Sequence, residues 1–205
     1  MSEVDSTLLS RRVGRLLFLA AFAAALSAPA VARAQGPMTN GGNHAGSIST
    51  PGEIDEWTFA ANQGDAVIVS IGEVGVNLDF YPWIRLFDPN GGLVITRNSG
   101  AATQFEVTAN LTGTYTLRVG SNNSNTYFDG TGDYVLRRVK VPGTYVVSQG
   151  DQGGTMTNGD NHTGHIDLGD VDVWTFAANQ NDAIAVSIGE IPVGPSDPDP
   201  GFYPW

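Results

Sequence analysis

The side chains best suited to proton transfer near neutral pH in this 205-residue chain are His44, His162 and His165. His44 and His162 occupy the same place in a duplicated stretch rich in Gly and Asn. No Ser or carboxylate stands at the spacing of a nucleophile or base partner, so they read as solvated turn residues. There is no Cys, which removes thiolate nucleophiles, disulfides and Cys-based zinc sites. The sequence also lacks GxSxG, HExxH and Walker motifs and a Gly-rich phosphate loop. No catalytic residue is assigned, and the chain is not expected to be an enzyme.

Carboxylates raise a metal question, because calcium takes several oxygens from Asp, Asn and carbonyls. Asp167, Asp170 and Asp172 are clustered, and Asp197 and Asp199 lie in a Pro-rich insertion. No EF-hand pattern appears, and in the first half of the chain only Glu53 and Asp55 answer Asp170 and Asp172. These acids read as a solvated edge. No metal ligand is assigned, and calcium is the one cofactor they would suit. Among aromatic residues, Trp57 and Trp174 are in step with Phe59 and Phe176 and read as core. Trp83, Arg85 and Phe87 share the strand face opposite Ile84 and Leu86. With the latter pair inward, these three are the binding candidates, a stripe for a sugar or a neighbouring domain. The alternative is lateral packing under a loop.

Composition narrows the partners. Acidic residues number 21 against 10 basic, a formal charge of −11, with no basic stripe to neutralise a phosphate backbone, so nucleic-acid binding is not expected. Arg11, Arg12 and Arg15 precede an apolar run from Leu16 to Leu26, a break at Pro29 and the small-residue site Ala32, Arg33, Ala34. This is the layout of a secretory signal peptide over residues 1–34, cleaved after Ala34. The pair Arg11 and Arg12 after Ser10 also resembles a twin-arginine signal, although Gly14 stands where a bulky residue is expected. Cleavage takes away four Arg and two acids, leaving 6 basic and 19 acidic residues, a net −13. The expected product is secreted, periplasmic or at the cell surface, without a membrane span, and attracts cations.

Self-comparison shows a repeat. Met38, Thr39, Asn40, Gly41, Asn43 and His44 recur 118 positions later as Met156, Thr157, Asn158, Gly159, Asn161 and His162. Trp57–Glu73 recurs as Trp174–Glu190 with 14 of 17 positions identical, and Phe80–Trp83 recurs as Phe202–Trp205. The period is too long for stacked solenoid units and fits tandem globular domains. The expected organisation is one complete unit at 35–140, a Gly-rich linker at 141–154, and the N-terminal half of a second unit at 155–205.

The repeated blocks alternate. Val67, Val69 and Ile71 are branched aliphatics between Ile68 and Ser70, and the second copy keeps Ile184, Val186 and Ile188, all expected to face a core. Tyr115, Leu117 and Val119 alternate with Thr116 and Arg118, and Asp88–Gly92 is a hairpin turn. Strands near 46–50, 93–97, 103–108 and 133–139 bring the count to about eight. Each has one apolar face to bury and no amphipathic helix to cover it, so a two-layer antiparallel β-sandwich is predicted.

The ordered set Gly46, Ile48, Asp55, Trp57, Phe59, Gly64, Asp65, Ile84, Leu86, Asp88, Asn90, Gly91, Thr112, Gly113, Tyr115, Leu117, Val119, Gly132, Tyr134 and Leu136 resembles the bacterial pre-peptidase C-terminal domain. The likeness spans residues 38–139 and returns, incomplete, from 156 to 205. It implies a jelly-roll-like β-sandwich of secreted bacterial proteins, often beside peptidase domains, some of whose relatives bind collagen or calcium. The functional expectation is a non-catalytic accessory or binding module for a protein or polysaccharide surface. The alternatives are a fragment of a larger secreted hydrolase, or a calcium-dependent adhesion module. A half-sandwich leaves open edges, so self-association through the second repeat is also expected.

Overall fold

The computed structural model describes residues 32–75, 79–122 and 130–191. Most of the export segment, Asp197, Asp199 and the second Phe-Tyr-Pro-Trp lie outside these residues. The described part is all β, without a helix. One sheet contains β1 (Ala32–Pro37), β3 (Ile54–Ala61), β8 (Gly113–Ser121), β5 (Pro82–Phe87) and β6 (Leu93–Asn98), in that order. The other contains β2 (Asn43–Ile48), β9 (Gly132–Val141), β4 (Ala66–Glu73) and β7 (Ala102–Thr108). From β3 to β9 the chain passes repeatedly between the two sheets, so neighbours in each sheet are distant in sequence and the arrangement is jelly-roll-like.

Alternation places the core as predicted. Val67, Val69, Ile71, Ile84, Leu86, Leu117, Val119 and Leu136 are almost fully enclosed between the sheets, with Trp57 and Phe59. Phe59 stacks on Tyr115 at 5.6 Å. The β5–β6 hairpin turns at Asp88, whose Oδ1 accepts from the amides of Asn90 and Gly92, both at 2.9 Å.

Four expectations need correction. Sequence patterning gave no strand at 32–37, yet β1 runs parallel to β3, with Gly36 opposite Trp57 and Pro37 opposite Thr58. Ala32, Arg33 and Ala34 belong to that strand, so the expected cleavage after Ala34 would remove its first three rungs and the 3.1 Å Arg33–Glu53 ion pair. Secondly, Glu53 and Asp55 are not on a solvated edge: both are buried. Glu53 accepts from the Ser49 amide at 2.7 Å and the Ser49 hydroxyl at 2.6 Å. Burial by itself raises its pKa, but the Ser49, Arg33 and Thr50 donors hold it at about 2. Asp55 accepts the Tyr134 hydroxyl at 2.6 Å and the Gln35 amide at 2.7 Å, and Trp57 Nε1 donates to the same Tyr134 oxygen at 3.0 Å. A side chain at Gly46 would collide with the Tyr134 ring at 2.3 Å, so glycine is required for that close approach. Alternation cannot reveal such a network, because acids at core-facing positions look like exceptions to the pattern.

Thirdly, His44 is not a solvated turn. It is half-buried, edge-on to Trp57 at 5.4 Å, and its Nε2 accepts the Thr39 amide at 2.8 Å. Nε2 is an acceptor only in the neutral ring, so Nδ1 carries the proton and faces Leu136 O at 3.3 Å. Burial lowers the His44 pKa. The unfolded chain therefore binds the proton more readily, and the stability His44 contributes is full above pH 6.5 and declines as pH falls below it. Urea unfolding at pH 8 and pH 5.5 should show this loss, and His44→Gln, which retains an acceptor, should flatten it. An equally steep decline in the variant would exclude His44 as the source.

The predicted second unit departs most from expectation. Its described strands are β10 (Gly153–Thr155), which straddles the predicted linker boundary at 154/155, and β11 (Val173–Thr175), paired in parallel. Phe176, Ile184, Val186 and Ile188 were expected to face a core and are instead exposed. Their alternation is intact, but no opposing sheet among the described residues covers them.

Candidate binding surface

Ile84 and Leu86 point inward, which places Trp83, Arg85 and Phe87 on the outer face of the five-stranded sheet. Trp83 is only 4% exposed, and the Arg85 guanidinium lies over its ring at 4.1 Å. Phe87 is half-buried and carries the Arg118 guanidinium at 4.8 Å. Each of the two rings therefore has one face covered by a cation, which adds cation–π attraction to lateral packing.

Across the strands, Glu56 of β3, Arg118 of β8, Arg85 of β5 and Thr96 of β6 form one continuous row. Arg118 Nε meets Glu56 at 2.7 Å. Arg85 has no carboxylate opposite it, and its Nε is buried without a hydrogen-bond partner among the described residues. Like charges directly opposite on a sheet are destabilising, so the row has one carboxylate fewer than its two guanidiniums require. Beside it lies a depression of ≈ 320 Å³ lined by Glu56, Phe87, Asp88, Thr114, Thr116 and Arg118. Sequence reading found the stripe on β5 but missed Arg118 and Glu56, because only the β3–β8–β5 register brings them to it.

A second cluster sits where residues 151–172 meet the four-stranded sheet. Carboxylate oxygens of Asp151, Asp170 and Asp172 lie within 4.8 Å of one another. Burial, then the charges of Asp170 and Asp151, push the Asp172 pKa up to about 6. Asp172 Oδ1 is buried without a hydrogen-bond partner among the described residues, and the three carboxylates are a ligand set that suits a cation. Asp170 is already neutralised by Arg137 of β9, whose Nε lies 2.8 Å away. Asp167 belongs elsewhere, exposed beside His165 at 3.4 Å.

The Asp167–Asp170 turn docks on β4 and β9. Gly169 O accepts from the Ser70 hydroxyl and, at 3.1 Å, from Arg137 Nη1. A Cβ on Gly72 would overlap Leu168 O, so glycine is needed for the approach. Arg137 is the one cation in this contact among the described residues, and its side chain is 11% exposed. Arg137→Gln is expected to raise cleavage within residues 156–191 roughly tenfold, the effect of about 1.4 kcal/mol on a mostly buried pair. Limited proteolysis followed by mass spectrometry reads this, and an unchanged rate would mean that the docked turn does not protect the segment.

No protein-family model matches the chain, and no curated protein matches it. Solved structures with a similar fold include PliG of Aeromonas hydrophila, a periplasmic inhibitor of g-type lysozyme. It is 14% identical at a TM-score of 0.42, over 54% of this chain and 99% of that one. The pre-peptidase C-terminal domain of the Bacillus anthracis collagenase is 19% identical at a TM-score of 0.36, over 54% and 97%. CorA, a surface-associated copper-binding protein of Methylomicrobium album BG8, is 6% identical at a TM-score of 0.39, over 53% and 99%. At such identities and TM-scores no ligand, partner or activity passes from these proteins to this chain.

Proposed function

We propose that the chain is a non-catalytic binding module of an exported bacterial protein, and that it holds a protein partner on the outer face of its five-stranded sheet. The observation that carries this reading is the Glu56–Arg118–Arg85 row, in which two adjacent guanidiniums stand beside a single carboxylate that pairs with Arg118. A partner carboxylate placed over Arg85 would supply the missing charge through a charge-assisted pair. Both guanidiniums are held by aromatic rings, so little side-chain freedom is lost on binding. Ring faces covered by arginine suit a polypeptide surface better than a stacked sugar. The non-catalytic part is supported by His44, whose two ring nitrogens both face backbone groups.

A photo-crosslinking residue at position 87 tests the surface, with position 104 on the opposite sheet as control. Crosslinks to an exported protein from 87 and not from 104, lost with Arg85→Ala, are expected. Crosslinks from 104 alone would reject the surface. Retention on insoluble polysaccharide that depends on Arg85 would move the reading to a glycan partner.

A calcium-dependent reading rests on Asp151, Asp170 and Asp172. These residues would hold the ion, which would supply charge neutralisation at the joint. A rise in melting temperature with millimolar calcium, abolished by Asp172→Asn, is its signature.

A further inference from the structure

Strand β1 and its counterpart in the repeat, β10, do not start at the same place. At the repeat's shift of 118, Gly153–Thr155 answer Gln35–Pro37. Gly154 and Thr155 meet Trp174 and Thr175 as Gly36 and Pro37 meet Trp57 and Thr58. β1 begins three residues earlier than this shared part and adds the rungs Ala32–Ile54, Arg33–Asp55 and Ala34–Glu56. The counterpart of Arg33 is Asp151, so the Arg33–Glu53 ion pair is not repeated either. What the two copies share therefore starts at Gln35, the residue that follows the expected processing bond.

The three additional rungs cover that bond. β1 is the outermost strand of its sheet, and Ala32–Ala34 lie extended along β3. On one side of the bond Arg33 Nη1 donates to Glu53 Oε1 at 3.1 Å, and on the other Gln35 Nε2 donates to Asp55 Oδ1 at 2.7 Å. Both carboxylates are buried. A protease takes up its substrate as an extended segment through the main-chain groups that a neighbouring strand also uses, so one stretch of backbone cannot serve β3 and a peptidase cleft at once. The module loses little if the bond is cut first. Glu53 keeps the Ser49 amide at 2.7 Å, the Ser49 hydroxyl at 2.6 Å and the Thr50 amide at 3.1 Å. Asp55 keeps Gln35 and Tyr134, and Gly36 and Pro37 keep their rungs.

We propose that the Ala34–Gln35 bond is hydrolysed before β1 seats on β3, so that the protein is exported unfolded and a folded precursor withholds its own processing site. In that step water adds across the bond. Its hydroxyl goes to the Ala34 carbonyl carbon, the C–N bond breaks, and its proton goes to the Gln35 nitrogen. The order favours general secretion over the twin-arginine reading of Arg11 and Arg12, because the twin-arginine route carries folded cargo. It does not depend on the partner proposed for the outer face of the five-stranded sheet.

The test gives purified bacterial signal peptidase in detergent the full 205-residue chain, either refolded or diluted directly from urea. Mass spectrometry follows the product that begins at Gln35, and tryptophan fluorescence reports folding. Cleavage of the refolded chain is expected to be about 10- to 100-fold slower, since only the fraction with β1 lifted from β3 is a substrate. Arg33→Asp copies Asp151 of the second repeat and leaves the small residues at 32 and 34 in place. By setting a like charge beside Glu53 it should close most of the gap without changing the rate from urea. Equal rates for the refolded and urea-diluted chains overturn the proposal, as does a gap that Arg33→Asp leaves intact or a product that begins elsewhere than at Gln35. Should the refolded chain aggregate, Arg11→Lys together with Arg12→Lys gives the decision in bacterial cells that have both routes. Unchanged export and processing support the proposal, and loss of the processed protein rejects it.

Discussion

Ile71→Ala is expected to lower the unfolding free energy of the sandwich by about 2 to 5 kcal/mol, while Ile188→Ala changes it by no more than about 0.5 kcal/mol. The two residues lie in nearly identical sequence, VSIGE in both copies. Ile71 is fully enclosed, opposite Thr103 of β7 and Leu136 of β9, so truncation leaves a cavity whose walls cannot close because two sheets hold them apart. Ile188 is 68% exposed, and removing its side chain leaves no void. Urea unfolding followed by tryptophan fluorescence measures both. Equal losses would mean that residues 183–190 are packed and would remove the contrast between the two copies.

Tyr134→Phe carries the second large effect, a loss of about 2 to 5 kcal/mol from deletion of a single oxygen atom. That oxygen accepts from Trp57 Nε1 and donates to Asp55, and all three groups are buried. Deleting it leaves an indole N–H without an acceptor and a carboxylate with Gln35 as its remaining donor. Each unsatisfied buried group costs its desolvation, which is larger for the charged one. Burial and the neighbouring Asp55 also raise the Tyr134 pKa, so the hydroxyl stays protonated and keeps donating throughout the accessible pH range. Tyr115→Phe is the control. Its hydroxyl serves Leu111 and Asn110 in a partly exposed loop, where water can replace it, and a loss near 1 kcal/mol is expected. Similar losses for the two variants would argue against the Trp57–Tyr134–Asp55 chain as a structural link between the sheets.

Alternation alone was enough to place Val67, Val69, Ile71, Leu117 and Val119 inside, because a strand's period of two leaves each side chain only one of two faces, while for Ile84 and Leu86 the structure decided which face is inward. The Asp88 turn was equally legible, since its carboxylate bonds its own neighbouring amides and depends on nothing distant. Glu53 and Asp55 were misread for the opposite reason. Glu53 has local donors in Ser49 and Thr50, but its Arg33 partner and the Gln35 and Tyr134 partners of Asp55 are 20 or more residues away in the chain and meet them only after the sheets form. The candidate surface divides the same way. Trp83, Arg85 and Phe87 fall on one face by spacing, but Glu56 and Arg118 join them only through the register of β3, β8 and β5.

What the sequence determined by itself is the all-β class, the identity of the core-facing positions in the first copy, and the duplication, because these follow from periodicity and local chemistry. Tertiary structure decided which copy of the repeated block is buried. Trp57–Glu73 and Trp174–Glu190 differ at three positions of 17, yet the aliphatics of one are enclosed and those of the other face solvent. Burial is a property of the strands laid on either side, and among the described residues only the first copy has β7, β8 and β9 beside it.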